Sequence, residues 1–162
     1  MTRAFLPRSP AVRGALVAAA LAAACGAQAR NVGLMLPVGG PVAAARAGGA
    51  ADIEFAFGSG SARGAEIVGG TISVQGVASP LAEPHGFKPT EAEACGNAVR
   101  DALERLATAA RAAGGHAVVG IVSNYNGNTI DDAAQVECRM GSAKVLAPLS
   151  GVIAKSVPAK AP

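Results

Sequence analysis

The residues of this 162-residue chain with chemistry beyond packing are three cysteines, two histidines and one run of oxygen-bearing side chains. Cys95 and Cys138 are the thiols that remain if the N-terminus is removed as an export signal, and an even cysteine count in a small exported domain marks a structural disulfide. A redox centre is the sharper alternative. It lacks a C-x-x-C motif and a cationic neighbour common to both sulfurs, which catalytic thiols need to ionise. Two separately buried, reduced cysteines are the third reading. A crosslink between positions 95 and 138 would close a loop of about forty residues and stabilise the fold by on the order of 4 kcal/mol.

The other constellations are thinner. His85 and His116 are too few for zinc, which takes four protein ligands in a closed site and three in an open one. Asn124, Asn126, Asn128, Asp131 and Asp132 gather oxygens on one loop, as a calcium site would. The loop lacks the glycine of an EF-hand turn and has Gln135 where a bidentate glutamate should close it, so a polar hairpin turn explains it better. A triad of Ser123, Asp131 and His116 fails on distance, because His116 and Ser123 fall at opposite ends of one strand, about 23 Å apart. No nucleophile elbow G-x-S-x-G occurs. The sequence therefore predicts no catalytic residue, no cofactor-binding residue and no metal ligand.

The elements that must position the cysteines follow from periodicity. Val32, Leu34 and Leu36 alternate with small or turn-compatible residues, and Ile53, Phe55 and Phe57 alternate with Asp52, Glu54 and Ala56, the period of half-buried strands. Ile72 and Val74 suggest a third strand. Between them, residues 39–51 and 58–70 are rich in glycine, alanine and serine. The first stretch is expected to hold a short helix from Pro41 to Ala47, with Pro41 at the first helical position. The second reads as a flexible loop.

Thr90 and Glu93 form a capping box, and behind it Cys95, Ala98, Val99, Ala102, Leu103, Leu106 and Ala110 recur at helical spacing. Gly114-Gly115 supplies the stop, which predicts a helix from Glu91 to Ala113. Ala117 to Val122 reads as a covered central strand and Asn126-Gly127 as a hairpin turn. The return strand alternates, with Ala134, Val136, Cys138 and Met140 on one side and Gln135, Glu137 and Arg139 on the other. Cys95 and Cys138 thus lie on apolar faces that meet if the helix packs on the sheet. The expected fold is α+β: a small antiparallel sheet with one long helix packed on one face, covering residues 30–154 and followed by a flexible tail, 155–162.

The N-terminus has the order of an export signal: Arg3, Arg8 and Arg13, then an apolar run from Gly14 to Ala24, then the small residues of Ala27-Gln28-Ala29. This predicts cleavage between Ala29 and Arg30, with residues 1–29 removed. The run is too short and alanine-rich to span a bilayer stably. Cys25, after Ala22-Ala23-Ala24, offers the alternative of lipidation, although the lipobox leucine sits one place early at Leu21. The expected location is the periplasm, or the outer membrane if Cys25 is acylated.

The formal net charge of +3 comes from 14 Lys and Arg against 11 Asp and Glu, and Arg3, Arg8 and Arg13 account for the whole excess. With no basic stripe and no tryptophan, a nucleic-acid partner is excluded.

Glu93-Ala94-Cys95, Gly114-Gly115-His116-Ala117-Val118-Val119, Ile121-Val122-Ser123-Asn124-Tyr125 and Glu137-Cys138-Arg139-Met140-Gly141 together resemble a group of small exported proteobacterial proteins of unknown function. Leu36-Pro37 and Phe55-Ala56-Phe57-Gly58 also fit. That group often carries a label likening it to an excinuclease ATPase subunit. The label implies a phosphate-cradling G-x-x-x-x-G-K-[ST] loop, and Gly58, Gly60, Gly64, Gly69 and Gly70 are followed by none. More distantly, the helix, small-residue turn and apolar strand resemble the lipoprotein sensor of the Rcs envelope-stress phosphorelay, and a heavy-metal-binding-like family that forms rings. Those folds pack a helix on a compact antiparallel sheet, and the sensor carries two disulfides where this chain has one cysteine pair.

The expected function is that of a non-enzymatic envelope protein binding an unidentified envelope protein or a small ligand, without a cofactor. It would meet the membrane only through a lipidated Cys25. A lipid-anchored stress sensor, a metal-binding or ring-forming module and a cryptic hydrolase are the alternatives.

Overall fold

The computed structural model describes residues 31–81, 86 and 88–157. The export signal, the Ala29–Arg30 cleavage site, Cys25, His85 and residues 158–162 lie outside the described residues.

The chain begins with β1 (Val32–Pro37), a short helix α1 (Gly39–Ala45) extended by a wide turn over Arg46–Ala50, and β2 (Glu54–Phe57). A 3-10 turn (Ser59–Ala62) leads to β3 (Ile67–Ala78), and the long helix α2 (Glu91–Ala112) follows. The last elements are β4 (Ala117–Tyr125), β5 (Asn128–Ile130), β6 (Gln135–Met140) and β7 (Val145–Ala154). The fold is α+β, with one sheet of seven strands and the helices packed against it.

α2 forms where its signals place it. The Thr90 hydroxyl accepts from the Glu93 amide at 3.2 Å while Glu93 Oε2 accepts from the Thr90 amide at 2.8 Å, so two otherwise orphaned donors are satisfied. At the other end Gly114 takes a φ of 71°, a left-handed conformation that glycine adopts without steric cost. The buried stripe is Cys95, Ala98, Val99, Ala102, Leu103 and Leu106, all fully buried. Alanines keep the helix close: Gly76 of β3 lies directly beneath it, and a Cβ there would collide with the Ala98 carbonyl and lie 2.6 Å from the Ala102 nitrogen.

The sheet is organised by β7, which the sequence pattern did not disclose as a strand. β7 pairs antiparallel with β3 along one edge, in unbroken register from Thr71↔Val152 to Ala78↔Val145. Along its other edge it changes partner, pairing with β6 at Arg139↔Leu146 and Met140↔Val145 and with β4 from Ser123↔Leu149 to Ala117↔Ala154. Beyond these, β1 pairs with β6 and β2 with β4.

Four expectations change. The turn at Asn126 (φ 51°) and Gly127 (φ 80°) closes a hairpin with β5, but β6 then crosses to β1 and β7 and is not the return strand to β4. β2 runs parallel to β4, the one parallel pair among the described residues of an otherwise antiparallel sheet. The glycine-rich stretches are more ordered than expected: the short helix is present but spans Gly39–Ala45, with Pro41 third rather than first, Arg46–Ala50 continue it as a wide turn with Gly49 at a non-helical φ of 116°, and 67–70 belong to β3. The first residues of the expected tail are tied down, the Lys155 amide to the Glu66 carbonyl at 2.9 Å and the Val157 amide to Glu54 Oε2 at 3.2 Å.

Candidate functional site

Cys95 and Cys138 are joined in a disulfide with Cα atoms 5.9 Å apart, both fully buried between α2 and the sheet. A bond sealed from solvent on both sides is structural, since thiol exchange needs access to a sulfur.

The residues of the imagined triad have separate partners. Ser123 is buried, and its Oγ accepts from the Glu137 amide at 2.9 Å. Asp131 accepts from the Ser59 hydroxyl and from the Ser59 amide at 2.7 Å, and these, the hydroxyl first, hold its carboxyl below the usual carboxylate range. His116 is exposed just before β4, where its main chain bridges Ala154 and Glu54. Asp132 accepts from the amides of Ala134 and Gln135, so the loop oxygens serve turns. Among the described residues no group of three or more His, Cys, Asp or Glu could hold a metal ion.

On the sheet surface away from Cys138, sequence reasoning missed an ion pair between a buried glutamate and a half-buried arginine. Glu137 is 7% exposed and its Oε1 meets Arg139 Nη2 at 2.9 Å, while the guanidinium lies 4.7 Å over the Tyr125 ring. Asn31 donates to the Tyr125 hydroxyl at 3.1 Å. Room for the carboxylate comes from Gly33 on β1, where a Cβ would approach Oε1 to 2.5 Å. Glu137 Oε2 and Arg139 Nε are buried without a hydrogen-bond partner. The alternation over 134–140 placed both residues opposite Cys138. Their burial depends on the glycine across the ladder, which no local pattern reports.

A groove of about 680 Å³ opens where the end of β1, α1, the end of β3 and the first turns of α2 converge. Its walls are Leu36, Pro37, Pro41, Ala44, Leu81, Pro89 and Ala92, with Ser79, Glu93 and Asn97 as the polar groups. The size lies within the range of small-molecule and peptide sites. Both Thr90 donors, main chain first and then hydroxyl, hold the Glu93 carboxyl below its ordinary value. A carboxylate engaged in this way as a helix cap is a poor general base. The groove therefore offers apolar contact with a few fixed polar groups.

Comparison with protein-family models, curated proteins and solved structures found no match to this chain. Among the described residues no helix is long and apolar enough to cross a membrane.

Proposed function

We propose that this chain is a non-enzymatic binding protein of the cell envelope, which takes an apolar ligand or the apolar part of a partner protein in the groove between β1, α1 and α2. The observation that carries this reading is the groove itself, a cavity of about 680 Å³ whose walls are almost wholly leucine, proline, alanine and glycine. Transfer of apolar surface into such a site is favourable by about 25 cal/mol per Å² removed from water. The periplasm is the proposed compartment, because a structural disulfide persists where thiols are oxidised.

Binding is tested with the neutral dye Nile red, whose emission rises in an apolar site. Gly40 lines the groove and has open space where a Cβ would stand, so Gly40→Leu is chosen to narrow the groove at a position that accepts a Cβ without a clash. The wild-type protein is expected to enhance the dye and the variant to lose that enhancement with unchanged thermal melting. Equal enhancement by both would remove the groove as the site. The compartment is tested by the intact mass of the protein from its native envelope. A chain starting at Arg30, with two thiols appearing only on reduction, is expected; an acylated chain starting at Cys25 would replace the periplasmic reading with a lipid-anchored one.

A further inference from the structure

The outer strands of the sheet differ in how their free edges are covered. On β3 the Val77 amide donates to Asp101 Oδ2 of α2 at 2.9 Å, and the helix backbone rests on Gly76. β1 pairs with β6 alone, and among the described residues no strand pairs with its other edge. Natural edge strands are blunted by charge, by proline, by a bulge or by cover, and the one such device on β1 is Pro37 at its last residue. β1, with the sequence Val-Gly-Leu-Met-Leu-Pro, has no charge and no register shift. It leaves Val32 49% and Met35 39% exposed.

The outward-facing backbone groups follow from the ladder. Just past β1, the Val38 amide donates to the Ala134 carbonyl at 3.0 Å, which makes 38 and 134 a hydrogen-bonded pair. Successive residues of an antiparallel strand alternate, so Val32, Leu34 and Leu36 turn their amides to β6 and Gly33 and Met35 turn theirs outward. Pro37, without an amide hydrogen, falls on the outward side, where an edge strand tolerates proline. The free edge thus presents the amides of Gly33 and Met35 and the carbonyls of Gly33, Met35 and Pro37.

Leu36 and Pro37 belong both to this edge and to the wall of the groove. A strand laid along β1 is therefore led into the groove at its end. A six-residue edge alone falls well short of the roughly 1,000 Å² that a specific interface between folded proteins buries, which argues against a second copy of this chain. A single extended segment, in contrast, satisfies the edge and fills the groove together. We propose that β1 and the groove form one docking site for an extended, apolar, uncharged segment of a partner polypeptide. The segment adds to the sheet as an eighth strand through Gly33 and Met35 and places a side chain in the groove, the strand-addition mode of recognition. This inference rests on the groove being a binding site.

The probe is a short peptide alternating threonine and valine around one tryptophan, read by its own fluorescence because the protein has no tryptophan. A second peptide carries N-methyl groups on alternate backbone nitrogens, which removes the donors aimed at β1 and leaves the side chains unchanged. The first is expected to bind with a blue shift, and the second about tenfold more weakly or not at all. Met35→Pro removes an outward donor and no bond within the sheet. It is expected to lose the peptide while keeping Nile red and the melting temperature; should it melt early, the methylated peptide on the wild-type protein carries the test. Failure of the first peptide to bind, or equal binding of both, overturns strand addition while dye binding preserves the groove. A dimer dissolved by Met35→Pro would overturn it in favour of a second copy. Loss of dye binding by the wild-type protein would sink the groove reading itself.

Discussion

α2 is fastened to the two halves of the sheet by different means. On the β3 side nothing covalent is used: the helix backbone sits on Gly76, and Asp101 takes the Val77 amide. On the β6 side the fastening is the Cys95–Cys138 bond. The ladders explain the difference. β3 shares an unbroken run with β7 from Thr71 to Ala78, so its ladder alone ties it into the sheet. β6 meets β7 at only two register positions, so the β1–β6 pair is held to the rest of the sheet by a short ladder, the Ser123 contact with Glu137 and the packing of Leu34, Leu36, Val136 and Met140 in the core. A crosslink placed there holds the wing that carries both the β1 edge and one wall of the groove.

The comparison breaks most sharply if the covalent fastening is cut. The double variant Cys95→Ala, Cys138→Ala is expected to lose about 4 kcal/mol of stability in a denaturant titration. Hydrogen exchange in the double variant should accelerate in β1 and β6 well before it does in β3. Uniform acceleration would mean that the disulfide acts on the unfolded chain alone and does not hold one wing. On the other side, Gly76→Ala forces a Cβ into the Ala98 carbonyl, and overpacking against backbone costs about 3 kcal/mol, since neither strand nor helix can yield by rotating a side chain. Here the fast-exchanging region should be β3. A loss under about 0.5 kcal/mol would show that α2 shifts freely on the sheet.

The same asymmetry explains which parts of the fold the sequence disclosed. α2 was legible to within a residue because its start, stripe and stop are local signals written in Thr90, Glu93 and Gly114. The disulfide was legible because each cysteine sits on the apolar side of its own element. β7, the strand that joins everything, was not. Pro148, Ser150 and Gly151 interrupt its pattern, and proline argues against a central strand. The structure accommodates Pro148 where β7 changes neighbours, after β6 ends at Leu146 and before β4 begins at Leu149. The parallel pairing of β2 and the crossing of β6 to β1 are choices among distant partners, which periodicity does not encode. The groove was invisible for the same reason, since its walls come from four elements brought together only by the fold.

One smaller change sharpens the picture on the β3 side. Asp101→Ala removes the acceptor for the Val77 amide together with the exposed ion pair to Arg105 at 3.0 Å. The expected loss is about 1 kcal/mol, mostly from the hydrogen bond, because exposed ion pairs contribute little. Exchange at the Val77 amide should rise first, and an unchanged rate there would show that the carboxylate does not guard this edge.

Past both fastenings, the last turn of α2 is tied to the segment before β2. Arg111 donates through Nε to Asp52 Oδ2 at 2.9 Å and through Nη2 to Asp52 Oδ1 at 2.5 Å, and Nη2 also reaches the Gly49 carbonyl. Hydrogen bonding from Arg111 is the main reason the Asp52 carboxyl is lowered from 3.8 to about 2. A carboxyl more acidic in the folded state stabilises it at every pH above its ordinary value, and that contribution fades as pH falls toward the folded value. The melting temperatures of the wild-type protein and Asp52→Asn should differ by a small constant amount above about pH 5 and converge between 3.8 and about 2. The pair is open to solvent, so added salt should shrink the difference. A gap that persisted at pH 2 or resisted salt would mean that the carboxylate's charge is not what ties this end of the helix, and that the hydrogen-bond geometry alone suffices.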